Sequence, residues 1–157
     1  MKPRVFAILM LSLISSAFLR AADEKPLEGD LKEMQGEWKL VSMEESGTPA
    51  PDEVVKSLRV TIKGAEMLFH VGPANDKEVR KATIKLDSTQ TPKTIELTVN
   101  MGAGGDDAAI GIYSLEGGKL KIATVDKKDD KTVRPAEFKS TAEAKSSLVV
   151  FERLTEK

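Results

Sequence analysis

The sequence predicts an all-β protein, an antiparallel up-and-down barrel of about eight strands preceded by a short N-terminal helix. Three observations carry that prediction. Between Trp38 and Phe151, apolar and polar residues alternate with period two over several short segments. Nearly all of these segments are joined by Gly-, Pro- and Asp-containing turns, too short for the crossover helices that parallel strands need. The chain also contains no cysteine, so neither disulfides nor thiolate metal sites can hold it together and a closed core must do so. Closure into a barrel removes the unpaired edges that an open sheet would leave exposed.

The first 21 of the 157 residues are set aside from the fold. Lys2 and Arg4 make a basic start, Val5 to Leu19 is apolar with only serines interrupting it, and the small residues Ala21 and Ala22 follow. This is the layout of a secretory signal peptide, residues 1–21. A membrane anchor is the rival reading, but the apolar run falls short of the ~20 residues a span needs. Cleavage after Ala21 places Leu19 three residues before the bond, whereas cleavage after Ala22 would place Arg20 there; a cut after Ala17 fits less well. Removing Lys2, Arg4 and Arg20 takes the 24 basic residues to 21 against 25 acidic ones, a net charge of −4. Such a surface does not suit nucleic acid. The leader has no twin arginine, which predicts export unfolded and without a preloaded cofactor, to the periplasm or the medium. Lacking a cysteine for lipid attachment, the mature protein is expected to have no membrane span or tether.

The mature chain suits one domain. Residues 22–29 are charged, contain Pro26 and read as a flexible leader; residues 30–157 form the barrel domain. Asp30 can cap a two-turn helix, Leu31 to Gln35, with Leu31 and Met34 on one face and Gly36 as its stop. Trp38 and Leu40 then share a strand face opposite Glu37 and Lys39. Val41 and Met43 switch phase, which predicts a bulge or bend in a long first strand. Glu45 to Asp52, with Gly47, Pro49 and Pro51, is a loop, and Pro51-Asp52-Glu53 opens a short helix through Lys56 that could serve as a lid at a barrel mouth.

Leu58, Val60 and Ile62 alternate with Arg59, Thr61 and Lys63, Gly64-Ala65 turns, and Met67, Phe69 and Val71 return. Glycine at the first turn position suits type II′. Gly72 to Lys77 is a turn-rich loop. Ala82, Ile84 and Leu86 mark the fourth strand, Asp87 to Pro92 a polar turn, and Ile95, Leu97 and Val99 the fifth strand. After the glycine-rich Met101 to Asp107, a second hairpin runs from Ala109 to Leu115 and from Lys119 to Thr124 across Gly117-Gly118. Asp126 to Lys145 is irregular, with Arg134-Pro135-Ala136-Glu137-Phe138 as an ordered island. Leu148 to Phe151, apolar on both faces, closes the chain.

The stretch Leu31 to Leu40, a short helix followed by Gly36-Glu37-Trp38 at the start of the first strand, resembles the Gly-x-Trp signature of lipocalins and related calycin barrels. Further islands are Pro92-Lys93-Thr94-Ile95, Gly111-Ile112-Tyr113, Leu120-Lys121-Ile122 and Arg134 to Phe138. Together they resemble an uncharacterised lipocalin-like family of small exported domains abundant in planctomycete bacteria, over essentially Leu31 to Leu154. The resemblance implies that Trp38 plugs the closed barrel end and that a basic residue of the last strand, Arg153, packs across it. It implies no established activity. One departure is Ala123, where members often carry a cysteine, so no metal or redox idea follows from that position.

Among polar candidates, His70 is the sole histidine, and a lone imidazole with no cysteines cannot build the three or four ligands of a zinc site. Met101 to Asp107 lacks the Lys-Ser/Thr and the helix start of a phosphate loop, as well as the spacing of a calcium loop. Glu44-Glu45, Asp106-Asp107 and Asp129-Asp130 are adjacent acids in polar surroundings, without the apolar pocket that would raise one pKa for glycoside chemistry. No Gly-x-Ser-x-Gly motif occurs. No metal, cofactor or catalytic set is therefore expected, and Tyr113, Arg134 and Glu137 are the first polar cluster to inspect.

After the signal, the aromatic residues are Trp38, Phe69, Tyr113, Phe138 and Phe151, too few for the stacking platforms that sugars and single-stranded nucleic acids use. The aliphatic inward phase predicts a noncatalytic binding module for a small apolar or amphipathic ligand. Its pocket would be lined by Leu58, Val60, Ile62, Met67, Phe69, Ile84, Ile95, Leu97, Val99 and Ile112. The alternative is a filled barrel serving as a structural or protein-interaction scaffold in the cell envelope, with an envelope protein as its partner.

Overall fold

The computed structural model describes residues 27–72, 78–100 and 104–155. The signal segment, most of the leader, part of the loop before the fourth strand and Met101 to Ala103 lie outside the described residues. Helix α1 spans Gly29–Glu33, and α2 spans Asp52–Ser57. The strands are β1 (Gly36–Glu45), β2 (Thr48–Pro49), β3 (Leu58–Lys63), β4 (Glu66–Val71), β5 (Glu78–Asp87), β6 (Thr94–Asn100), β7 (Asp106–Glu116), β8 (Lys119–Asp126) and β9 (Ser147–Arg153). From β3 to β9 each strand pairs antiparallel with the next. β1 joins β3 on one side and β9 on the other, so the up-and-down barrel closes with eight strands. The two-residue β2 only extends a lip on β1. No helix among the described residues is long and apolar enough to cross a membrane.

Local chemistry explains the path. In β1 the pairing with β9 slips between Leu40 and Ser42, so Val41 is the extra residue of a bulge and stands 44% exposed. That bulge resets the phase and lets Leu40 and Met43, three apart, both face the interior. Gly64 has φ +62 between the paired Lys63 and Glu66, the first position of a II′ turn. Gly117 and Gly118 have φ +58 and +73 between Glu116 and Lys119, the I′ pattern that demands glycine or asparagine. Both turns carry the twist of the flanking strands. The sequence places the first helix two residues late, because α1 begins at Gly29 and the chain is already turning by Gln35.

Inside, Met34, Trp38, Leu40, Val60, Ile62, Met67, Ala82, Ile84, Ile95, Tyr113, Leu120, Ile122 and Phe151 form one contiguous buried cluster. A second apolar layer lies outside the sheet. Ile110, Ile112, Ala123 and Val125 are buried on the opposite phase, and the strap of residues 127–146 runs between β8 and β9. The strap is pinned by side chains. Arg134 donates to Glu96 (2.5 Å), and Lys121 lies 5.5 Å from the Phe138 ring centroid. The fully buried Ser146 accepts from the Thr141 amide (2.9 Å). Ser140 in turn accepts from the Gly47 amide (2.8 Å), tying the strap to the β1–β2 lip.

Candidate functional site

The two ends of the barrel differ. At one end Gly36, Trp38 and Arg153 meet. Trp38 is fully buried, and its indole N–H donates to the Met34 carbonyl at 2.9 Å, while the Arg153 guanidinium carbon lies 4.3 Å from the indole centroid. The same guanidinium donates to the carbonyls of Gln35 (2.6 Å) and Glu33, so it caps the C-terminal turn of α1 while covering the ring. Gly36 has φ +111, and a side chain there would touch Arg153 Nη1. Gln35 adds a clasp to the β3–β4 turn. Its amide donates to the Gly64 carbonyl (2.9 Å), and its carbonyl accepts from the Gly64 amide (2.7 Å).

A second polar knot holds α1 from the other side. Asp30 Oδ2 accepts from Lys93 Nζ at 2.7 Å and from the Tyr113 hydroxyl at 2.8 Å. The Lys93 hydrogen bond holds the Asp30 carboxyl below the usual range, against the opposing pull of desolvation and with help from Tyr113. The same bond raises Lys93. Burial pushes the Tyr113 hydroxyl well above its ordinary value, and Asp30 pushes it further. Tyr113 therefore stays a neutral donor, and the knot is a seam between helix and barrel. Of the polar cluster read from the sequence, only Tyr113 takes part: Arg134 is bound to Glu96, and Glu137 pairs with Lys139 at 2.6 Å. That seam covers the Trp38 core, with open grooves of about 300 Å³ beside Leu31, Leu86 and Tyr113 and about 350 Å³ beside Pro92, Leu115 and Phe138 outside it.

The other end is less covered. Met43, Val55, Leu58, Phe69, Leu97, Val99 and Val149 pack on the core but are only half-buried. Helix α2 borders this mouth. Its Val55 packs inward, while Val54 is 42% exposed. Between α2 and the β1–β2 lip lies a solvent-open cavity of about 450 Å³, lined by Met43, Glu45, Thr48, Pro49, Pro51 and Val54 among others. A second open groove, about 410 Å³, lies between Val125–Val133 and Glu143–Lys145. It is lined largely by charged and polar residues of the strap, together with Val125 and Asp126 of β8.

The inward residues inferred from the alternation divide between these ends. Val60, Ile62, Met67, Ile84 and Ile95 lie in the sealed core, and Leu58, Phe69, Leu97 and Val99 lie at the mouth. Ile112 is a correction. It pairs with Thr94 and Ala123, so it stands on the outer phase with the residues beside the strap, and Gly111 takes the inward position next to Ile95. The pairing also brings in residues that alternation alone missed. Met43 and Val149 are paired inward, and beyond the apolar ring Glu45, Arg80, Asp107 and Asp126 share the inward phase while remaining exposed. Thr124 and Ser147 lie beneath them, half-buried and paired with each other. Only the strand registers reveal this rim.

His70 stands on the outer phase, with Nε2 3.1 Å from the Thr61 hydroxyl. Its Nδ1 is buried without a hydrogen-bond partner. Among the described residues no group of three or more His, Asp or Glu side chains could hold a metal ion. The architecture is a closed eight-stranded antiparallel barrel compatible with a lipocalin-like fold. Comparison with protein-family models, curated proteins and solved structures finds no match.

Proposed function

We propose that this protein is a noncatalytic exported binding module that takes a small apolar or amphipathic molecule into the open end of its barrel. The observation that carries the reading is the contrast between the ends. The Trp38 end is covered by a tryptophan, an arginine and a clasped helix, whereas at the α2 end seven apolar side chains that pack on the core remain half-buried. An eight-stranded barrel has room for about one small ligand. Small inward residues at the mouth, Ala109 and Thr124, help to provide it.

Residues 1–21 support export to the periplasm or the medium, and Gly36-Glu37-Trp38 with Arg153 supports membership of the exported lipocalin-like family named above. The absence of a nucleophile, base and metal motif in the sequence supports a noncatalytic role. The experiment is native mass spectrometry of the protein purified from its exported fraction, compared with the same protein after denaturation and refolding. A discrete extra mass that disappears on refolding is expected. A bare protein that also takes nothing from a lipid extract overturns the reading.

The second reading, an envelope scaffold, is favoured by one feature. The sealed half of the barrel is filled by the protein's own side chains, from Trp38 and Tyr113 to Phe151. It predicts that an envelope protein is recovered reproducibly on the immobilised domain, with no small molecule in the mouth.

A further inference from the structure

We infer that the mouth selects a zwitterionic single-chain amphiphile, its anionic group held at Arg80 and its cationic group on the side of Asp107, Asp126 and Glu45. This rests on the binding reading above and deepens it.

Arg80 pairs with Phe69 and falls in phase with the buried Ala82 and Ile84. An arginine thus occupies the inward phase of β5, one position beyond the last buried residue on that face. A register shift follows immediately, because His70 pairs with Glu78, and such bulges re-aim side chains at barrel rims. No hydrogen bond or ion pair joins Arg80 to another described residue. Its neighbours on the inward phase, Phe69 and Val99, are half-buried apolar groups of the mouth. A guanidinium without a partner among the described residues, beside half-buried apolar side chains, is suited to a carboxylate or phosphate attached to an alkyl chain.

The opposing sector has the other sign. Asp107 on β7, Asp126 on β8 and Glu45 on β1 share the inward phase and are exposed, with the Thr124 and Ser147 hydroxyls beneath them. Asp106 is tied to Asn100 at 3.0 Å, whereas no ion pair joins Asp107, Asp126 or Glu45 to a described cation. With strands about 4.8 Å apart, β5 and β7 are separated by about 10 Å, within reach of both ends of a dipolar head group. A purely anionic head would face three carboxylates, and a purely cationic head would face Arg80. A head carrying both charges meets its complement on each side, and the sealed inner half of the barrel limits the tail to one chain.

The test is isothermal titration of the protein with four probes sharing a twelve-carbon chain, each below its micelle concentration: dodecylphosphocholine, dodecanoate, dodecyltrimethylammonium and dodecyl maltoside. Dodecylphosphocholine is expected to bind about fivefold or more tighter than each of the others, and the advantage should shrink as salt rises. Arg80→Gln and Asp107→Asn, both at exposed positions, should remove most of that advantage without changing the melting temperature. Leu97→Trp, which fills the throat, should abolish binding of all four probes. Equal affinity for the four probes overturns the head-group inference and leaves the pocket standing. Failure of all four to bind overturns the pocket reading itself.

Discussion

Arg153 performs two tasks at once, and its removal separates folding from binding. The guanidinium covers Trp38 and caps two carbonyls of α1. A cation–π contact is worth ~0.5 to 2 kcal/mol and a charged hydrogen bond ~1.5 to 3. Arg153→Ala should therefore destabilise by about 2 kcal/mol and lower the melting temperature by several degrees, while leaving ligand selectivity unchanged because the mouth lies at the other end. Equal melting temperatures for variant and parent would contradict this. Gly111 is a residue-scale constraint of another kind. A Cβ there would lie 1.9 Å from the Ala123 carbonyl oxygen, a backbone atom that cannot step aside without parting β7 from β8. Gly111→Ala should cost about 3 kcal/mol or more, measured by urea unfolding. Asp30 brings a pH dependence. Its folded pKa is depressed, so its contribution is complete above the unfolded value near 4 and is lost as pH falls through the lower folded value. The stability gap between the parent and Asp30→Asn should hold from about pH 7 to pH 5 and close below about pH 4. A gap that persists undiminished at low pH would assign the effect to packing instead.

At the scale of elements, the period-two alternation marks β3, β4, β5 and β6 clearly because their outer faces meet water. Lys81, Thr83 and Lys85 are exposed opposite Ala82 and Ile84. The same signal fails on β7 and β9. The strap lies against the outer layer of the β7–β8 region, so Ile110 and Ile112 are as apolar as the inward face, and single-strand periodicity cannot choose between them. Ile112 was misassigned for that reason, and the inward Gly111 carries no hydrophobic signal at all. The charged rim was unreadable for a related reason. The bulge at Val41 shifts the phase of Glu45, and although Arg80 keeps phase with Ala82, only the pairings of Phe69 with Arg80 and of Val99 with Asp107 bring these charges to one rim. The strap itself is held chiefly by side chains rather than by a strand ladder. Ser146→Ala removes the buried hydroxyl that accepts from the Thr141 amide, at a cost of about 1 to 2 kcal/mol. Faster proteolysis within 127–145, with the barrel fragments still associated, is the expected outcome; an unchanged cleavage rate would mean that the apolar layer alone holds the strap.

For the molecule as a whole, the eight short segments and their turns made the barrel legible, because closing such a chain antiparallel leaves few other ways to pair every edge. Which half of that barrel is sealed depends on contacts between distant residues, Arg153 with Glu33 and Gln35 and Tyr113 with Asp30, which no local pattern encodes. The polarity of the barrel, one end locked and the other half-covered, is the central claim. It is tested most directly by recording backbone amide shifts of the ¹⁵N-labelled protein during titration with dodecylphosphocholine below its micelle concentration. Saturable shifts concentrated at Met43, Leu58, Phe69, Arg80, Leu97, Val99 and Val149, with Trp38 and Tyr113 unmoved, are the predicted result. Shifts centred on the Trp38 end, or on the outer groove beside Val133, would contradict the account.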